Sequence, residues 1–215
     1  MAKRWWGLVV AAAVTVALVS LVSNITSESQ LSAQADTLLA VRSTVSKLVN
    51  SGAVWAGLPI LSGWLVRRPL QAFAAGIVAG LTALSVHYGV GQLFGMFDAT
   101  VWAANRVWFA MALVAGGPLG LVGVVARGGG LWGLVARLVV PAGAMIEPFF
   151  LGMFAVPAIM PWPTRVASVA AGVILVLAGV VGAAVVICRW REQRRRPPSL
   201  VRVLRTSEYA KRARP

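Results

Sequence analysis

Apolar residues along this 215-residue chain gather into six long runs, and arginine and lysine collect mainly in alternate gaps between them. A helix rises about 1.5 Å per residue and the hydrocarbon core of a bilayer is about 30 Å thick, so about 20 mainly apolar residues make one crossing. The pattern predicts six crossings, over residues 5–22, 52–66, 70–90, 107–126, 138–158 and 166–188. The second is short unless Val49 and Asn50 extend it. The fifth has an alternative start at Leu131 that forces Arg137 to snorkel; a start at Leu138 leaves Arg137 at the edge and is preferred.

Between the first two runs lies one substantial hydrophilic segment, residues 24–50. Ser27 and Gln30 have the spacing of a capping box, and Leu31, Ala35, Leu38, Val45 and Val49 recur at helical intervals. An amphipathic helix lying on the outer surface is expected, covering the bundle or acting as a lid. The expected fold class is therefore all-α: a polytopic bundle of six transmembrane helices plus one external amphipathic helix.

Composition agrees with lipid as the solvent. Hydrophobic residues make up 59% of the chain and charged residues 12%, against about 25% charged in soluble domains. The net charge of +14 would suggest nucleic acid in a soluble protein, but its placement argues otherwise. Residues 189–215 form a basic tail with ten basic and two acidic residues, a net +8.

Lys3, Arg4, Arg67, Arg68, Arg127, Arg137 and the tail fall on one side of the predicted crossings. Arg42, Lys47, Arg106 and Arg165 fall on the other, diluted by Glu28, Asp36 and Asp98. The positive-inside rule then puts both termini in the cytoplasm. Richness in alanine, valine, glycine and arginine points to a GC-rich bacterial gene, hence a bacterial cytoplasmic (inner) membrane. Ala33-Gln34-Ala35 resembles a signal-cleavage site but lies far beyond the first apolar run, so an uncleaved anchor is expected.

Prolines 141, 148, 157, 161 and 163 make the fifth run and its exit irregular, with a kink expected near Glu147. Gly76 with Gly80, Gly91 with Gly95, and Gly116 with Gly120 have the four-residue spacing of close helix packing. Packing within the chain is the expected use, and a homodimer seam the alternative.

Glu147 is the residue most suggestive of chemistry. Counted from Leu138 it lies about 14 Å into the fifth crossing. An ionised, unpaired carboxylate there costs several kcal/mol, so it must be protonated, paired or wet. It is a candidate proton or cation site, with a structural hydrogen bond to a neighbouring helix as the competing reading. His87, Asn50 and Arg106, with Asp98 and Asn105, fall on the outer side and could rim a polar vestibule leading to Glu147. For His87 alone, a packed or hydrogen-bonded role is the plainer expectation.

Trp5, Trp6, Trp102, Trp108, Trp162 and Trp190 read as interfacial anchors. Arg194, Arg195 and Arg196 in the tail are candidates for binding anionic lipid headgroups or a partner protein. A single cysteine, Cys188, excludes an internal disulfide, and one histidine with six carboxylates gives no expected metal site or cofactor. No phosphate-binding glycine loop, His-Glu-x-x-His or Gly-x-Ser-x-Gly occurs, so no enzyme activity is expected.

Asn50-Ser51-Gly52-Ala53-Val54-Trp55, Arg67-Arg68-Pro69, His87-Tyr88, the segment Ala115-Gly116-Gly117-Pro118-Leu119-Gly120 and Ile146-Glu147 together resemble a family of small bacterial integral membrane proteins known only as a domain of unknown function. The resemblance covers roughly residues 45–150. It implies a multi-span helical membrane protein and supplies no reaction.

Three classes of function remain. A small transporter of a solute or ion, or a solute-binding membrane component, comes first, on Glu147 and the proline-broken fifth run. A structural or accessory subunit acting through the external helix or the tail comes second, and a lipid-modifying enzyme third. Expected partners are the bilayer, anionic lipid headgroups, and a membrane protein or second copy; nucleic acid is not among them.

Overall fold

A computed structural model describes residues 2–27 and 35–195, and all the regular structure among them is helical. The helices are α1 (Ala2–Ser23), α2 (Asp36–Val49), α3 (Gly52–Val66), α4 (Pro69–Leu93), α5 (Val101–Ala104), α6 (Arg106–Val125), α7 (Leu131–Phe150) and α8 (Trp162–Arg195). Six helical stretches among the described residues are long and apolar enough to cross a membrane: Arg4–Ser23, Asp36–Val66, Pro69–Leu93, Arg106–Val125, Leu131–Phe150 and Trp162–Arg195.

The second stretch joins α2 and α3 across a break at Asn50 and Ser51, and this corrects the expected surface helix over 24–50. Asp36, at the start of α2, accepts a hydrogen bond from Trp162 Nε1 at the start of α8. Twelve residues later Leu48 packs against a cluster of Ala53, Ala144, Met153 and Leu175, the last thirteen residues into α8. Matched offsets on two helices mean that α2 runs beside α8 in the same direction instead of lying across the end of the bundle.

The apolar face of α2 is also the reverse of the expected one. Leu38, Val41 and Val45 are exposed at 55%, 57% and 46%, while Arg42, Ser43, Ser46 and Lys47 turn inward and are half-buried. In water such a helix would be inside out; in hydrocarbon it presents apolar side chains outward and polar ones to its neighbours. The proposed helix start at Ser27 and the tripeptide Ala33-Gln34-Ala35 involve residues 28–34, which lie outside the described residues.

Small residues set the packing of the remaining helices. Val9, Ala13 and Ala17 on α1 and Ala75, Ala79 and Ala83 on α4 are fully buried in one cluster, each series at four-residue spacing. Where α3, α4 and α6 meet, a methyl group on Gly63 would overlap the Gly120 carbonyl, one on Gly76 the Gly116 carbonyl, and one on Gly120 the Ala72 carbonyl. The Gly76 and Gly116–Gly120 motifs thus bring backbones together within the chain. Gly91–Gly95 does something else. Gly95 has φ +70°, and Gly95 N–H donates to Gln92 C=O while Met96 N–H donates to Gly91 C=O, a glycine-terminated end to α4.

α3 sits in the middle, against α1, α4, α6 and α7. On either side of it stand the α1–α4–α6 group and the α7–α8 pair. α3 turns into α4 sharply: Arg67 adopts φ 73°, its N–H returns to Gly63 C=O, and Arg68 is extended as the residue before Pro69 requires.

The helix of the fifth run begins at Leu131, ahead of the expected crossing start at Leu138, and stops at Phe150, short of Ala158. Its end repeats the α4 device. Gly152 has φ +62°, Gly152 N–H donates to Phe149 C=O and Met153 N–H to Pro148 C=O. The helix runs through Pro141 and Pro148, and the irregularity expected near Glu147 takes the form of this end, three residues on. α8 outruns the expected 166–188 at both ends, so residues 189–195, assigned to the tail, continue the helix.

Arginines close helix ends at one pole of the bundle. Arg127 Nη1 donates to Trp64 C=O near the end of α3, and Arg137 Nε and Nη2 donate to Ala126 and Gly128 C=O just past α6. Cations suit these positions because the last carbonyls of a helix are unpaired and partially negative. Arg67 and Trp5 stack at the same pole, 5.4 Å from guanidinium carbon to ring centre. We call it the basic pole.

Candidate functional site: a capped helix break and a polar cleft

The break between α2 and α3 leaves the first N–H groups of α3 without helical partners, and each of them is accounted for. Ser51 is the N-cap, extended at φ −65°, ψ 148°, and its Oγ accepts from Val54 N–H at 3.3 Å. Gly52 N–H donates to Glu147 Oε1 at 2.7 Å and Ala53 N–H to Glu147 Oε2 at 3.1 Å. Trp55 N–H closes on Ser51 C=O. A carboxylate here meets both the free donors and the positive end of the helix dipole.

Glu147 reaches this place because α7 runs antiparallel to α3. A Cβ on Gly52 would only just touch the Glu147 carboxylate, at 3.5 Å, and at Gly57 it would touch Val140 at 4.0 Å. Pro148, wholly buried beside it, and Ala144 hold this face of α7 against its neighbours. Glu147 itself is half-buried.

Asn50 and His87 meet through a residue that sequence reasoning did not single out. Ser20 Oγ–H donates to Asn50 Oδ1 at 2.6 Å and lies 3.2 Å from His87 Nδ1. His87 Nδ1 is also 3.4 Å from Ala17 C=O. With the Ser20 proton given to Asn50 and a carbonyl as the second neighbour, Nδ1 must carry the imidazole proton. Asn50 Nδ2 then donates to Ser46 C=O at 2.9 Å, which ties the α1–α4 pair to α2. His87 is 7% exposed, with Tyr88 edge-on at 5.0 Å and Phe97 at 5.8 Å between ring centres.

The signal for Ser20 was present but weak. It is a serine inside an apolar run, four residues from Val16 and three from Ala17, on the face that buries Val9 and Ala13.

Arg106 does not join this group. It opens α6, is exposed, and makes no hydrogen bond or ion pair among the described residues. Asp98 and Asn105 likewise serve their own turns: Asp98 accepts from the Thr100 N–H and hydroxyl, and Asn105 donates to Val101 C=O. The Thr100 donors hold the Asp98 carboxyl below its ordinary range.

A separate cleft, lined by none of these residues, lies elsewhere. The inward polar face of α2 borders a cleft of about 380 Å³ walled by Asn24, Thr26, Arg42, Ser43, Ser46, Lys47 and Thr164. Among the described residues two cations and four hydroxyls face it. Arg42 Nη1 donates to Ser23 C=O at 3.0 Å, while its Nε–H is buried and has no partner among the described residues. Ser46 links the cleft to the break, donating to Asn24 Oδ1 and sharing its backbone carbonyl with Asn50.

Among the described residues no group of three histidine, cysteine or carboxylate side chains could hold a metal ion. Arg194 stacks on Trp190, 4.2 Å from its ring centre, and Arg195 ends α8; Arg196 and the rest of the tail lie outside the described residues. No family model matches this chain. None of the curated proteins or solved structures compared with it matches either.

Proposed function

We propose that the chain is a multi-pass bacterial inner membrane protein, both ends cytoplasmic, that acts as a small transporter or solute-binding component for an anionic solute or a coupled ion. The basic pole then faces the cytoplasm and the α2 cleft faces outward. Glu147 is ten residues beyond Arg137 on α7, about 15 Å at the helical rise, which sets it about midway through a 30 Å hydrocarbon core. The resemblance to a membrane family of unknown function belongs with this reading and adds no substrate.

One observation carries the proposal: α2 turns its polar face inward to wall a cleft with Arg42 and Lys47, and Ser46 on that wall is hydrogen-bonded to Asn50 at the helix break. Membrane transport sites are commonly built at broken helices, where a half-helix N-terminus faces an anion. Here Glu147 fills that position. A solute carboxylate or phosphate entering past Arg42 and Lys47 would compete with it, and loss of its charge would weaken its hold on the Gly52 and Ala53 donors.

Reconstitution in liposomes containing a pH-sensitive dye tests this. Under an imposed potassium diffusion potential, the native protein should admit protons faster than protein-free liposomes. Glu147→Gln should remove that flux while the protein still elutes as a single folded species.

The closed state of the break favours a second reading. Both Glu147 oxygens are already engaged by backbone donors, as a purely structural cap would be. On that reading the chain is an accessory subunit: Glu147→Gln would leave its complex intact on a native gel, and removal of residues 190–215 would dissociate it.

A further inference from the structure

At the basic pole a second cleft, of about 370 Å³, lies among the end of α3, the segment just past α6, and the helices α7 and α8. Trp64, Arg127, Arg137, Val185, Arg189 and Gln193 line it, together with Ala126 and Val186. Three guanidiniums converge with no carboxylate among the lining residues. Two of them are fixed by the fold. Arg127 is held by the Trp64 carbonyl and by the Trp64 ring, 4.7 Å from its centre, and Arg137 by the carbonyls beyond α6.

Each guanidinium has five N–H donors, and these bonds occupy one on Arg127 and two on Arg137. Arg189 is exposed and makes no hydrogen bond among the described residues. Fixed, unspent donors in fork geometry suit a phosphate oxyanion better than a single flexible charge does.

The floor is of the opposite character. Val185 and Val186 lie one turn above Arg189, and Leu177 and Val181, exposed on α8, continue the apolar line from Val185 at four-residue spacing. A free phosphate ion would use the guanidiniums alone. A phospholipid would use both parts, its phosphodiester on the arginines and its acyl chains along this apolar line of α8.

We propose that this cleft is a binding site for the headgroup of an anionic phospholipid, with Arg127, Arg137 and Arg189 on the phosphate. Only its placement in a bilayer is shared with the transport reading, and binding in detergent micelles is measurable whether or not the protein transports anything. Its described lining residues end at Gln193, ahead of the basic tail beyond residue 195.

Native mass spectrometry of the full-length protein in detergent, titrated with phosphatidylglycerol, phosphatidylcholine or inorganic phosphate, tests it. One phosphatidylglycerol per chain should bind in preference to phosphatidylcholine. Arg189→Gln removes a cation without removing a structural bond and should weaken phosphatidylglycerol binding about fivefold, the effect of about 1 kcal/mol per basic residue near an anionic lipid. Arg202→Gln with Arg205→Gln, in the tail, should leave it unchanged. Equal binding of the two lipids, an unaffected Arg189→Gln, loss through the tail variant instead, or binding of inorganic phosphate with no preference for the lipid would each overturn the assignment.

Discussion

The Glu147 carboxylate sits astride the backbone of Gly52, with Oε1 2.7 Å from the Gly52 nitrogen and Oε2 on the Ala53 N–H. Removing it leaves the Gly52 and Ala53 N–H groups without their partner. Glu147→Ala should destabilise the protein by about 2 kcal/mol, the upper range for loss of a helix cap. Glu147→Gln, which retains one good acceptor and loses the charge, should cost about 1 kcal/mol. Steric-trap unfolding in detergent measures both, and equal stability of all three proteins would remove the capping role.

The inverted face of α2 has its own test. In a Cys188→Ser background, nitroxide labels at Leu38, Val41 and Val45 should be relaxed by oxygen, which concentrates in lipid. Labels at Ser43 and Lys47 should respond to an aqueous nickel complex. The reverse pattern would return α2 to the surface role that its sequence first suggested.

Gly63, Gly76 and Gly120 stand where neighbouring backbones leave no room for a methyl group. Alanine at Gly63 or Gly120 should force α3, α4 and α6 apart and cost more than about 3 kcal/mol, beyond the usual range for overpacking. Gly143→Ala provides the contrast, since nothing lies within 4 Å of its added carbon; it should gain about 0.5–1 kcal/mol from helix propensity. Yield of monodisperse protein and the thermal midpoint separate the two outcomes.

Arg67 holds a left-handed conformation that costs a non-glycine residue about 1–2 kcal/mol. Glycine removes that strain and also removes the cation stacked on Trp5, a contact of about 0.5–1 kcal/mol at an exposed site. Arg67→Gly should therefore stay within about 1 kcal/mol of the parent, and Arg67→Val should be clearly less stable. Thermal unfolding of the two variants side by side checks the sign.

Asp98 titrates outside the helices, and the Thr100 hydroxyl and N–H depress its folded pKa. A depressed carboxyl stabilises the fold above its unfolded pKa, and that contribution is lost as pH falls through the folded value. Thr100→Val removes the hydroxyl, so the carboxyl carbon of Asp98 should titrate at higher pH in a carbon-13 NMR experiment. An unchanged midpoint would remove the hydroxyl as the cause.

Much of this architecture was legible because apolar run length and helical rise leave few choices. The helix over 52–66 and the cores of the others follow from that arithmetic. Where hydrophobicity continues past a helix end, the same arithmetic fails. Gly152 stops α7 within the sequence Phe149-Phe150-Leu151-Gly152-Met153-Phe154, where a hydropathy reading sees only more membrane.

The face of α2 was misjudged for a related reason: periodicity shows that two faces differ, and only the solvent decides which one turns inward. Glu147 stood out as a lone intramembrane carboxylate, and its partner did not, because backbone N–H groups leave no mark in a sequence. Ser20 brought Asn50 and His87 together, whereas Arg106, grouped with them by being on the same predicted side, lies elsewhere. Side of the membrane fixes one coordinate of a residue and leaves two undetermined.

α3 is finished by residues made long after it. Glu147, which completes its first turn, follows Gly52 by 95 positions, and Arg127, which closes its last turn, follows Trp64 by 63. Until α6 and α7 have emerged, this short helix, about 21 Å long at the helical rise, has only its local caps, Ser51 Oγ on Val54 N–H and Arg67 N–H on Gly63 C=O. A nascent chain halted before residue 127 therefore carries a second apolar helix whose Trp64 carbonyl and Gly52 and Ala53 N–H groups are unmatched, and translation through residue 147 supplies their partners.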